Sequence, residues 1–173
     1  MTRFGSLGAV LGLDKSKLAR AAGKDIAELA EAHRALLEHS LRDRLLDVPI
    51  TINGRALERY LVATLADCTT ERLRALYLDR GNRLIIDELV SEGGAGKVAT
   101  STRAIVNRAL ELEASALIFV HNHPGGSLQP SPQDVAFTRK MAEVGRHLGI
   151  VVHDHLIVAG SHCTSLRARG DLE

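Results

Sequence analysis

From Ile26 onward the apolar positions Leu29, Leu36, Leu37, Leu41 and Leu45 recur at helical spacing with charges between them. That pattern predicts one long amphipathic helix. A shorter helical segment, Lys15 to Ala22, precedes it and stops at Gly23, a residue suited to a helix C-terminus. Residues 1 to about 48 therefore read as a helical appendage that packs or dimerises, and Asp47 to Asn53, with Pro49, is the domain boundary. A helix from about Gly54 to Asp67 follows, with Leu57, Leu61 and Leu65 on one face. The period then changes. Leu73 to Leu78 and Leu84 to Val90 read as strands, joined in a hairpin by Asp79-Arg80-Gly81-Asn82. Gly93, Gly94 and Gly96 break the chain before a short strand around Val98. Thr102 opens a helix carrying Ile105, Val106, Ala109, Leu110 and Leu112, and the most apolar run of the chain, Ala116 to Val120, is the next strand. A helix from Pro132 to Leu148 is stopped by Gly149, and strands Ile150 to Val158 and about Cys163 to Leu166 close the domain. The predicted fold is α/β, an α+β or α-β-α layered arrangement with a mixed sheet flanked by helices. Residues 1–48 form the appendage and 49–173 the main domain.

Composition narrows the setting without changing that picture. The chain has 173 residues, 45% of them apolar, with no Trp and only 3% aromatics, so its core must be built from Leu, Val, Ile and Ala. Lys plus Arg number 22 against 21 Asp plus Glu, and no strong overall field draws the protein to nucleic acid or membrane. The stretch Leu7 to Leu13 is broken by glycine, too short for a membrane span and a poor secretory signal. Cys68 and Cys163 form no C-x-x-C pair and read as reduced thiols of a cytoplasmic protein, a single disulfide being the alternative.

The chemistry concentrates after the apolar strand. His121 and His123 flank Asn122 and precede Pro124; Ser131 and Asp134 follow. Side chains two apart on a strand share a face, so both imidazoles are placed to reach one metal ion. Asp134 would be a third ligand and water a fourth, the arrangement of a catalytic zinc. Ser131-Pro132-Gln133-Asp134 also reads as a helix start, with Ser at the N-cap, Pro at N1 and an acid at N3. That reading alone accounts for Ser131 and Asp134, and it is compatible with ligation because a carboxylate in the first turn is held rigidly. The chain has no H-E-x-x-H and no H-x-E with P-C-x-x-C, which removes the zincin proteases and the zinc deaminases. The letters H-N-H name nuclease residues scattered through a different fold. His153-Asp154-His155, a second H-x-H, reads as strand residues that pack or support the first site through hydrogen bonds.

The run His121-Asn-His123-Pro124 to Ser131-Pro-Gln-Asp134 resembles the H-x-H-P-x(6)-S-x-x-D motif of the JAB/MPN (JAMM) metalloproteases. Leu84 to Gly93, Arg108 to Leu112, Ala116 to Pro124, Leu148-Gly-Ile150 and Asp154 to Ile157 resemble the RadC-like subgroup more closely, over most of residues 50 to 168. The resemblance implies a layered JAB/MPN domain similar to cytidine deaminases, with Zn²⁺ held by His121, His123, Asp134 and water. It also implies an upstream glutamate as general acid/base. Strand alternation puts Glu88 and Glu92 on one face; the family spacing L-I-x-x-E-x-x-x-x-G selects Glu88, leaving Glu92 a solvated charge. Ser131 would donate to the oxyanion. The expected activity is hydrolysis of a peptide or isopeptide bond in a peptide or protein substrate. The rivals are a DNA-repair-associated nucleic-acid-binding or nuclease role and a non-catalytic scaffold. Two departures stand out. Pro124-Gly125-Gly126 replaces the usual Pro-Ser-Gly, and the helix-hairpin-helix-like segment Leu18 to Ile26 keeps Gly23 but has Asp25 at the second glycine position, which weakens the case for DNA as a partner. The apolar stripe from Ile26 to Leu45 is a candidate surface for a homo-oligomer.

Overall fold

The structure, a computed structural model, describes residue 13 and residues 15–46, 48–50, 54–93 and 102–172. The strand expected around Val98 and much of the boundary segment, residues 47 and 51–53, lie outside the described residues. In chain order the elements are α1 (Lys15–Ala22), α2 (Lys24–Leu46), α3 (Arg55–Leu65), β1 (Arg72–Leu78), β2 (Leu84–Glu92), α4 (Thr102–Glu111), β3 (Ala116–Asn122), α5 (Pro132–His147), β4 (Val151–Ala159) and β5 (His162–Ser165).

The strands form one mixed sheet in the order β2-β1-β3-β4-β5. Among the described strands only β3 and β4 run parallel, as a strand–helix–strand unit crossing over through α5; the other pairs are antiparallel. Strand alternation sorts the core into two layers. Leu76 and Leu78 of β1 and Ala116, Ile118 and Val120 of β3 pack with Leu57, Leu61 and Leu65 of α3. Ala75 and Tyr77, with Leu117 and Phe119, pack on the other side with Ile105 of α4 and Met141 of α5. Strand β3 is buried along its whole length, as its unbroken apolar run requires of a central strand covered on both faces.

Two expectations need correction. Val90 is an extra residue in β2, because Leu73 faces Ser91 while Arg74 faces Leu89. This bulge reverses the parity of the strand end. Glu88, opposite Ala75, and Glu92, opposite Arg72, consequently lie on opposite faces of the sheet, not on one. Glu92 is ion-paired to Arg72 at 2.8 Å rather than merely solvated. In the long helix, Leu45 enters the core, but Leu29 and Leu36 remain 67% and 68% exposed. The contact of α1 with α2 is made by Leu18 against Ala27 and Ala30, small residues that let two helices joined at Gly23 approach closely.

Candidate metal centre

His121 points to the α5 side of the sheet, on the same face as Leu117 and Phe119, and is 3% exposed. His123 follows the strand and keeps its backbone in register, its N–H donating to Val158 O at 2.9 Å. The two Nε2 atoms stand 2.7 Å apart. Their protonation follows from their partners. Thr138 donates its hydroxyl proton to Asp134 O at 2.6 Å, so toward His155 Nδ1, also 2.6 Å away, it accepts. His155 therefore carries its proton on Nδ1, and its bare Nε2 accepts from His121 Nδ1 at 2.8 Å. His123 Nδ1 lies 2.7 Å from Ser127 O, a carbonyl that only accepts. In the neutral form of both rings, each thus turns a bare Nε2 toward the other. Hydrogen bonds to the far nitrogen orient metal-binding imidazoles in this way.

Burial pushes the His121 imidazole down to about 4, with Asp134 opposing the shift and His123 adding to it. His155 is held well below its ordinary range, by burial first and then by His121 and His123. His121 does not answer the repulsion by taking up a proton near neutrality. A cation between the rings would.

The carboxylates around the pair have definite roles. Ser131 caps α5 in a full capping box: Asp134 N–H donates to Ser131 Oγ at 3.1 Å, and Ser131 N–H and Oγ–H both donate to Asp134 Oδ2 at 2.7 Å. This leaves Oδ1 directed to His121 Nε2 at 3.5 Å, while Oδ2 is 3.7 Å from His123 Nε2. The cap predicted from sequence and the acidic donor are the same residue. A second carboxylate, Glu71, brings Oε1 to 3.8 Å from His123 Nε2. Glu71, His121 and His123 form a group of donors lying within 4.8 Å of one another. Three to four N and O donors at one point, two of them bare imidazole nitrogens, fit a divalent metal ion.

Glu88 lies outside this group. Arg108 of α4 grips it, Nη2 reaching Oε1 at 2.6 Å and Nε reaching Oε2 at 3.2 Å. It sits opposite Ala75, which faces Phe119, so it is two strands from β3 and two positions back from His121, about 10 Å or more in sheet spacing. Sequence reasoning missed Glu71. Carried two residues beyond the pair Leu73 with His121, the same register brings Glu71 opposite His123; no local motif marks it. It also missed Thr138, which is fully buried beneath the site. His155 supports the site as the second H-x-H reading expected. His153 turns elsewhere, to Asn82 Oδ1 at 2.7 Å. Asp154 accepts from Ser165 Oγ and from the backbone N–H groups of His155 and Arg167, which ties β4 to the C-terminal turn.

Fold and site together define a layered α/β domain with a group that could hold a metal ion at the C-terminal end of its central strand. Residues 52–171 match the profile of the RadC-like JAB domain. Over 169 residues the chain is 40% identical to a UPF0758 protein of Rhodobacter capsulatus, covering 96% of this chain and 79% of that protein. It is 38% identical over 173 residues to a UPF0758 protein of Ruegeria pomeroyi, covering 98% of this chain and 76% of the relative. The chain belongs to the RadC-like JAB domain family, consistent with a metal-dependent hydrolase. Among the described residues no helix is long and apolar enough to cross a membrane.

Proposed function

We propose that the protein is a zinc-dependent hydrolase of peptide or isopeptide bonds. The observation that carries this reading is the pair of Nε2 atoms facing each other at 2.7 Å beside Asp134 and Glu71. His121, His123 and Asp134 would hold the ion. Zinc held there would supply a lowered pKa for water and polarisation of a carbonyl. Glu71, rather than Glu88, takes the proton from the attacking water and returns it to the leaving amine, because both oxygens of Glu88 are occupied by Arg108. Ser131 donates to the oxyanion by turning its hydroxyl from Asp134, whose Oδ2 keeps the Ser131 N–H. Losing such a donor costs about 3 kcal/mol of transition-state stabilisation.

Elemental analysis of the purified protein tests the centre, with amine release from peptide and isopeptide substrates as the activity assay. We expect stoichiometric zinc in the natural protein and none in His123→Ala. Stoichiometric zinc in that variant overturns the ligand assignment. Tight, salt-sensitive DNA binding without amide cleavage would favour the nucleic-acid reading instead.

A further inference from the structure

We propose that Asn122, the residue between the two histidines, is the positioning residue for Glu71. The inference rests on the preceding reading of the histidine pair as a metal centre. Asn122 is the last residue of β3, and its side chain leaves the sheet on the α3 side with Val120, opposite His121. It is 2% exposed. There it meets the segment between α3 and β1 and makes three hydrogen bonds to that segment's backbone. Oδ1 accepts from Arg72 N–H at 2.8 Å, and Nδ2 donates to Thr70 O at 3.0 Å and to Cys68 O at 3.3 Å. The partners fix the amide orientation, since a backbone N–H needs the oxygen and two carbonyls need the NH₂ group.

Glu71 sits between two of the groups that Asn122 holds, Thr70 O and Arg72 N. Its own carbonyl accepts from Gly93 N–H at 2.8 Å. The backbone is thereby held on both sides of Glu71 and from Gly93, just past β2, while its side chain is left to reach His123. Strand alternation makes this economical. Successive residues of one strand end point to opposite faces, so His121 turns to the metal side while Asn122 ties down the segment carrying the second carboxylate. Ligands and proton carrier are registered against one another by a single three-residue run. Removing the carboxamide leaves the histidines in place and takes away three of the bonds that hold the segment from Cys68 to Arg72.

Pseudocontact shifts in protein loaded with Co²⁺ in place of zinc report this directly, because they fall with the cube of the distance from the ion. The full chain is compared with Asn122→Ala. We expect one Co²⁺ bound in both, unchanged shifts at Asp134 and Val120, and a Glu71 shift that falls about twofold or more in the variant, since sites tolerate only sub-ångström looseness in their support. Equal Glu71 shifts in the two proteins overturn the proposal, as does a uniform change at all three residues, the sign of a general structural role. If Asn122→Ala does not fold, amide exchange in the natural protein decides. The Arg72 amide, bonded to the Asn122 side chain, is expected to exchange about tenfold or more slowly than an open-loop amide, and loop-like exchange there overturns the clamp. Absence of Co²⁺ binding in the natural protein would defeat the metal reading alone, because Arg72 exchange reports the clamp in metal-free protein.

Discussion

Glu71 and Glu88 are both carboxylates on the antiparallel side of the same sheet, yet their surroundings equip them for different work. Glu88 projects from the edge strand β2 into a fork of guanidinium nitrogens, Arg108 Nε and Nη2, with its side chain 31% exposed. Glu71 precedes the inner strand β1, and its Oε1 lies 3.8 Å from His123 Nε2, within the candidate metal group. An acid already paired with arginine has its charge balanced and its lone pairs filled. An acid next to unprotonated imidazoles keeps its oxygens for a proton or an ion. Sequence spacing selects the first; spatial register selects the second.

The sharpest way to break this comparison is kinetic. Glu71→Gln is expected to retain zinc and lose two to four decades of amide hydrolysis, roughly the contribution of a positioned general acid/base. Glu88→Gln is expected to stay within about threefold of the natural protein, since Arg108 occupies both of its oxygens and it lies outside the histidine group. Equal losses in the two variants, measured as kcat/KM on one substrate, would return the role to Glu88.

A second contrast separates the faces of β2. Asp87, next to Glu88, points the other way and is buried, with Arg74 Nε at 2.8 Å and Tyr60 OH at 2.6 Å. Burial, then the neighbouring Asp87, pushes the Tyr60 phenol up. Asp87→Ala would strand Arg74 at the α3 interface, and breaking a buried pair from one side costs about 3–5 kcal/mol. Urea unfolding should show that loss; a change below about 1 kcal/mol would mean that Arg74 finds water.

These contrasts explain which parts could be read from the chain. His121, His123, Ser131 and Asp134 were legible because strand parity and a helix cap are local rules, and the capping box formed as its letters predict. The hairpin and the helices were legible through their periods. Glu71 was not, because β1 pairs with β3 across an intervening strand and helix, and only that register sets it opposite His123. The parity argument for Glu88 and Glu92 failed at Val90, where nothing in Leu89-Val90-Ser91 announces a bulge. The periodicity of α2 marked the helix and its apolar stripe, while the side that α1 covers is set by Ala27 and Ala30.

The dry side of the comparison should also be the acid-labile one. His121 titrates at about 4 in the metal-free fold against an ordinary 6.5, so below 6.5 the unfolded chain binds a proton that the folded chain refuses. Its contribution to stability is complete above pH 6.5 and is lost as pH falls to about 4, amounting to about 3 kcal/mol. His155 shifts in the same direction. Denaturant midpoints in chelator should therefore drop between pH 7 and pH 4.5, and a flat profile over that range would contradict the buried, neutral histidine chain.

The smallest effect belongs to the wet side. Arg108 is 38% exposed and also reaches Glu111 Oε2 at 3.2 Å, so loss of the Glu88 charge leaves the guanidinium solvated and partnered. Exposed pairs of this kind contribute about 0–1 kcal/mol, less in high salt. Glu88→Gln should accordingly shift the urea midpoint by no more than that, and the shift should shrink as salt is added. A loss near that of Asp87→Ala, insensitive to salt, would show that Glu88 is anchored in a dry environment. It would also remove the physical ground for treating its arginine pairing as a surface feature set apart from the chemistry at His121 and His123.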